Sequence, residues 1–237
     1  MNEPEPRKGR DISPPDEITS SHWFDEAMKL VDQLERHDTV TATHTWRVIL
    51  YTRALAEDAG LDHDTVDLVA LGAALHDVGK LDIEGDVLRK PGRLTDDEFA
   101  VVRTHTTLGE ARLLALGIDD PVVLGMVRSH HERLDGTGYP DGLEGAAIPR
   151  PALYFAVVDS FDAMTSRRPY QRDLPEDAEQ RAIDALLSER NTRYCADAVE
   201  RFARLHEKGA LDWIARHFNE DSGLYQRQTP GSGALER

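Results

Sequence analysis

Apolar residues recur at helical spacing through most of the 237-residue chain, and the strict alternation that a half-buried strand needs is nearly missing. In the stretch 41–59, His44, Val48, Tyr51 and Leu55 fall on one stripe of a 3.6-residue helix. Similar runs predict helices over roughly 21–36, 63–77, 150–165, 176–189, 196–207 and 210–218. Thr95-Asp96-Asp97-Glu98 is a capping box and predicts a helix from there to about Leu116. Asp119-Asp120-Pro121 supplies a cap and a first-turn proline for a helix that ends at His130-His131. The segment 132–149, which contains DGTGYPDG, has no periodicity and predicts a long loop of the kind that often carries function. The pattern therefore reads as one all-α domain over 20–218. A Pro-, Glu- and Arg-rich leader at 1–19, expected to be disordered, precedes it, and a loose tail at 219–237 follows.

Composition narrows the classes of function. The net charge is -16, with 44 acidic against 28 basic residues, which argues against binding to duplex nucleic acid or an anionic membrane surface. An anionic substrate would then need positive charge supplied locally by its own site. The single cysteine, Cys195, excludes a disulfide framework and a Cys-rich zinc site, points to a reducing cytoplasm, and is expected to be an inert packing residue. No stretch approaches the roughly 20 apolar residues of a membrane span, and the N-terminus has no signal-peptide core.

The ten histidines divide by helical context. His44 continues the apolar stripe of its helix. His76 follows Leu68, Gly72 and Ala73 on one face, and Asp77 follows Ala70, Ala73 and Ala74, small residues that let another helix approach closely. His105 sits between Val101, Val102 and Leu108, His130 follows Met126 and Val127, and His131 lies one turn past Val127. Asp159 lies inside YFAVVDSFDAM, with Phe155 one turn behind and Ala163 one turn ahead. Five imidazoles and two carboxylates on inward faces would each be costly to desolvate unpaired, and a metal cluster satisfies them together. Seven nitrogen and oxygen donors are too many for one catalytic ion with an open position, whereas two ions sharing a carboxylate fit. Such a pair, about 4 Å apart, is the apparatus of phosphoryl hydrolysis. The donors suit Fe, Mn, Zn, Co or Ni. His22, His37, His63, His206 and His217 lack this context and are expected to be structural or on the surface.

LHDVGK (Leu75 to Lys80) resembles the HD signature of the metal-dependent HD phosphohydrolases, and HHERLDGTGYP (His130 to Pro140) resembles the longer signature of their HD-GYP branch. The similarity extends to LRKPGRLTDDEF with His105 downstream, to AVVDSFDAMTSRRPY and to HTWRV, covering roughly residues 35 to 205 in the family's order. The resemblance implies an HD core of about five helices with additional C-terminal helices. It also implies a cytoplasmic cyclic di-GMP phosphodiesterase of bacterial second-messenger signalling, giving pGpG and in some members GMP, by attack of a hydroxide bridging two metals.

By position, His44, His76, Asp77 and Asp159 match the family's first metal site, and His105, His130 and His131 the second, with Asp77 bridging. The two divalent ions would be Fe or Mn ahead of Zn, Co or Ni. Lys80 matches a lysine on the scissile phosphate and Arg168 an arginine on a substrate phosphate. Asp135, Gly136, Gly138, Tyr139 and Pro140 form the loop that frames the pocket or meets a partner such as a diguanylate cyclase, with Glu132 and Arg133 expected to face solvent. Asp162, one turn from Asp159, is either a group orienting a metal ligand or an exposed helix residue.

Two positions depart from the family pattern. Val40 stands where some members carry a glutamate that helps hold a third metal, so two ions are expected. Gln171 stands where a basic residue is frequent, with Arg172 beside it. The leader is too short for the sensor or receiver domains that members often carry, so regulatory input would come from a partner, a ligand or expression level. The alternatives are hydrolysis of another nucleotide or of a mixed cyclic dinucleotide such as cyclic GMP-AMP, and a catalytically silent module that docks a signalling protein. The sequence leaves the oligomeric state open.

Overall fold

A computed structural model describes residues 22–37, 42–166 and 175–218. The expectations for the leader and the tail, and the positions Val40, Arg168, Gln171 and Arg172, lie outside the described residues. The helices are α1 (His22–His37), α2 (Ala42–Asp58), α3 (His63–Leu75), α4 (Gly85–Leu88), α5 (Asp96–Arg103), α6 (His105–Ala115), α7 (Pro121–Ser129), α8 (Arg150–Thr165), α9 (Ala178–Ser188), α10 (Ala196–Glu207) and α11 (Asp212–His217), with 3-10 turns at Val78–Asp82 and Gly145–Ala147. No strand occurs among the described residues, and the all-α expectation holds.

Helix α8 is apolar nearly all round and buries Ala152, Tyr154, Phe155, Val157, Val158, Phe161 and Asp162, as a helix at the centre of a bundle must. It packs on α2, α7, α9 and α10. Tyr51 of α2, Phe161 of α8 and Phe202 of α10 meet edge to face at centroid distances of 4.9 to 5.8 Å and anchor the larger core. Cys195 packs on the same core, half-buried, in keeping with an inert role. A second core collects one face of α1 (Ala27, Leu30 and Val31) with Leu75, Leu113, Val123 and Val127. The small residues of α3 do bring a helix close: a Cβ on Gly72 would lie 2.8 Å from the Met126 sulfur of α7.

The expected helix from Thr95 to about Leu116 is two helices. The capping box is present, with Thr95 accepting from the Glu98 amide and Glu98 from the Thr95 amide, but α5 ends at Arg103 and α6 begins at His105. The cause is local. Thr104, Thr106 and Thr107 turn their hydroxyls back to the carbonyls of Val101, Arg103 and Thr104, three residues earlier, which bends the helix path. The bend makes His105 the first residue of α6.

The backbone at Gly79 crosses directly over the start of α6. A Cβ there would lie 1.9 Å from the His105 carbonyl oxygen and 2.4 Å from the Gly109 nitrogen, so only glycine permits the approach that sets Asp77 and Lys80 against His105. Gly79→Ala is expected to cost about 3 kcal/mol through overpacking against backbone that cannot yield, lowering the melting temperature by roughly 6–12 °C for a chain of this size. Thermal unfolding followed by circular dichroism checks it, and a shift under about 2 °C contradicts the crossing.

Candidate metal centre

Five helices deliver the histidines and carboxylates to one point. His44 lies in the first turn of α2, His76 caps the C-terminus of α3, and Asp77 opens the 3-10 turn that follows. His105 opens α6, His130 caps α7 with His131 beside it, and Asp159 lies on α8. Helix ends serve because the chain is turning there, so two adjacent side chains can point at one target.

Six of these residues form two trios, His44–His76–Asp77 and His105–His130–His131, each with ligand atoms within 4.8 Å of one another. Asp77 reaches both: one carboxylate oxygen is 3.2 Å from His76 Nε2 and the other 3.4 Å from His105 Nε2. Asp159 stands outside both trios, close enough that its negative charge favours the protonated forms of His76 and His131. His76, Asp77, His105 and His130 are each at most 5 % exposed. The sequence-derived ligands are thus gathered in one place; Arg168 lies outside the described residues.

Backbone carbonyls fix the imidazoles. Nδ1 of His76 donates to Ala73, that of His105 to Val102 and that of His130 to Val127, each three residues earlier and at 2.7 to 3.0 Å. Each bond commits Nδ1–H outward and leaves a lone pair on Nε2, the tautomer a metal ligand needs. His105 Nε2 and His130 Nε2 then face one another at 3.2 Å. Two lone pairs at that distance repel unless a cation lies between them.

A proton is a poor candidate for that cation. Burial, with the neighbouring imidazoles, holds His130 well below the ordinary histidine range and lowers His105, while burial sets His131 at about 4. Burial alone would raise the Asp77 carboxyl, but Lys80, 2.7 Å away, and His76 hold it well below the usual carboxylate range. Neutral His105, His130 and His131 beside an ionised Asp77 are the donor set of a divalent ion, while His76, which burial lowers, is raised overall by Asp77 and Asp159. The residues present therefore fit a metal centre.

His44 is oriented differently. Its Nδ1 bonds at 2.7 Å to Asp162, which is fully buried and also accepts a two-point ion pair from Arg47 at 2.6 and 3.0 Å. Of the two readings for Asp162, the exposed helix residue is excluded. Arg47 did not stand out in the sequence. Its signal was the spacing, since His44 and Arg47 on α2 and Asp159 and Asp162 on α8 each lie three apart on one helix face.

The loop 132–149 corrects one expectation. Glu132 does not face solvent: it is 2 % exposed, and its carboxylate accepts from the amides of Asp141, Gly142 and Leu143 at 2.7 to 3.1 Å. Burying the carboxylate is tolerated because three backbone donors that the irregular loop leaves unpaired converge on it. Arg133 is half-buried. Gly138 lets the loop double back, since a Cβ there would lie 2.4 to 2.6 Å from backbone atoms of His131, Glu132 and Arg133. Tyr139, joined to Pro140 by a cis peptide, thereby packs at 4.7 Å on the His131 ring, with the Arg103 guanidinium 4.6 Å from the Tyr139 centroid. Asp135 folds onto Thr137 at the exposed tip, and Gly136 takes a positive φ.

The remaining histidines behave as expected where they are described. His37 bonds the Ile83 carbonyl, His63 pairs with Asp67, His206 with Glu179, and His217 packs edge-on to Phe218. The side chain of His22 lies outside the described residues.

Glu132→Ala is expected to cost about 3 kcal/mol by leaving three backbone donors without their charged acceptor, and to speed amide hydrogen exchange at Asp141, Gly142 and Leu143 at least tenfold. Exchange measured in native buffer checks it; unchanged protection at those three amides would contradict the role given to Glu132.

Comparison with known proteins agrees with this geometry. A family model described as HD domain matches residues 27–197. The cyclic di-GMP phosphodiesterase of Thermotoga maritima is 38% identical over 215 residues, which cover 88% of this chain and 57% of that protein. The 3'3'-cGAMP-specific phosphodiesterase 1 of Vibrio cholerae is 35% identical over 145 residues, covering 61% of this chain and 33% of that protein. The chain thus spans little more than half, or less, of the length of these curated relatives. Bd1817, described as an HDG"Y"P protein from Bdellovibrio bacteriovorus, superposes with a TM-score of 0.58 at 19% identity, over 80% of this chain and 64% of that one, a likeness of fold. No described helix is long and apolar enough to cross a membrane. With the HD pair at the meeting of two imidazole trios and the Gly-Tyr-Pro loop packed on the second, the chain belongs to the HD domain family, in its HD-GYP branch.

Proposed function

We propose that the chain is a metal-dependent phosphodiesterase that opens cyclic di-GMP to pGpG. The observation that carries this reading is the pair of ligand trios joined by Asp77, in which His76, His105 and His130 each turn Nε2 inward from a carbonyl-bound Nδ1. His44, His76 and Asp77, with Asp159 beside them, would hold one divalent ion, and His105, His130 and His131 the other, with Asp77 shared. Two ions held so supply Lewis-acid polarisation of a phosphoryl oxygen and a water acidified enough to act as nucleophile at neutral pH.

The chain's own residues supply the rest. Lys80, beside Asp77 at 2.7 Å, places a positive charge where negative charge grows on phosphorus, and it is worth most in a water-poor recess. On a surface of net charge -16, it and Arg168 would provide the local attraction for a phosphodiester. The carbonyl-anchored imidazoles hold their geometry without reorganisation. The resemblance to a 3'3'-cGAMP-specific enzyme supports a second reading, in which the same centre opens a mixed cyclic dinucleotide.

Purified protein loaded with Mn or Fe and incubated with cyclic di-GMP should release pGpG. Product from 3'3'-cGAMP alone would select the second reading, and no turnover of either would leave a silent docking module. Elemental analysis should find close to two ions per chain, and His76→Ala or Asp77→Ala should remove metal and turnover together; wild-type metal content in either variant would refute the ligand assignment. Lys80→Met should keep the metal and lower kcat by about 10²–10³, the range for loss of one charge-stabilising donor.

A further inference from the structure

We infer that Arg47 is a positioning residue for the metal centre, fixing the His44 imidazole through Asp162 and tying that orientation to the seating of α11. The inference rests on the reading of His44, His76 and Asp77 as metal ligands, and not on the identity of the nucleotide.

The planar fork of Arg47 reaches three groups, Asp162 and Ser166 at the end of α8 and Phe218 at the end of α11. Nε and Nη2 take the two oxygens of Asp162 at 2.6 and 3.0 Å, Nη2 also reaches the Ser166 hydroxyl at 2.6 Å, and Nη1 donates to the Phe218 carbonyl at 2.8 Å. Asp162 is 0% exposed, and its Oδ2 also accepts from His44 Nδ1 and from Ser166. A carboxylate so buried holds its charge only with a matched partner. Once held, it can accept from His44 in one direction only. The ring plane of His44, and hence the line of its Nε2, follows from where the guanidinium lies.

The guanidinium is in turn located from the far side by α11. Phe218 closes that helix, is 6% exposed and stacks on Trp46, the residue before Arg47, with centroids 6.3 Å apart and planes 19° apart. Because the fork is rigid, a Phe218 carbonyl that moves must either lose its bond or rotate the contact with Asp162. Lysine, with one rotatable point charge, cannot hold both ends.

The test is a metal titration against a chromophoric chelator on the full chain without nucleotide, so its outcome is separate from whether any cyclic dinucleotide is cleaved. Arg47→Lys and Phe218→Ala, verified as folded by circular dichroism, should weaken one of the two ions 10- to 100-fold, the usual effect of removing a group that orients a ligand, and leave the other unchanged. Turnover at limiting metal should fall and return with excess metal. Ile183→Val, a core change at a residue that makes none of these hydrogen bonds, should lower the melting temperature and leave both affinities alone. If Arg47→Lys fails to fold, Phe218→Ala decides by itself, since it leaves the ion pair intact. Wild-type affinity at both sites in folded Phe218→Ala overturns the coupling to α11, equal weakening of both ions overturns the assignment to His44, and a wild-type chain that binds no ion overturns the inference together with the metal reading.

Discussion

The structure is organised around a conflict that a hydrophobic core cannot resolve. Five imidazoles and an aspartate are packed where helices α2, α3, α6, α7 and α8 converge, and His105 and His130 point acceptor nitrogens at each other across 3.2 Å. Burial lowers His105 and His130, so the repulsion between those two is not relieved by titration. A divalent cation between them would relieve it. Metal affinity is then partly the free energy that folding spends in bringing the donors together.

Much of the surrounding architecture serves to keep those donors still. Three carbonyls, each three residues before its histidine, fix three rings using only nearby backbone. That device is local and needs no partner. His44 lies in the first turn of its own helix. Its ring is held instead by Asp162, across more than a hundred residues of sequence. Local anchors thus serve rings in both trios, whereas His44 alone among the anchored rings depends on α8, α11 and Arg47.

The loop that bears the Gly-Tyr-Pro signature follows the same economy. Its irregular backbone offers amides that no helix pairs, and Glu132, one residue past the histidine pair, collects three of them. The loop is thereby pinned to the helix end that presents His130 and His131, and Tyr139 covers the His131 ring. An acidic residue in that position serves the rim by being buried.

The amino-acid pattern by itself determined a great deal. Helical periodicity placed most helices within a residue or two, because an amphipathic stripe is a local property written every three or four positions. Histidines continuing apolar stripes identified the ligand set, because a buried polar side chain without a partner is expensive anywhere. What escaped the sequence was decided by partners distant along the chain. Glu132 looked solvent-facing because its three donors lie nine to eleven residues on, in a segment without periodicity. Arg47 looked ordinary because Asp162 and Phe218 come to it only when α2, α8 and α11 are assembled. The bend at Thr104 was hidden because the apolar periodicity runs on through it, while the hydroxyl-to-carbonyl bonds of Thr104, Thr106 and Thr107 leave no mark on that pattern. Periodicity reports which way a side chain faces; only tertiary structure decides what it meets there.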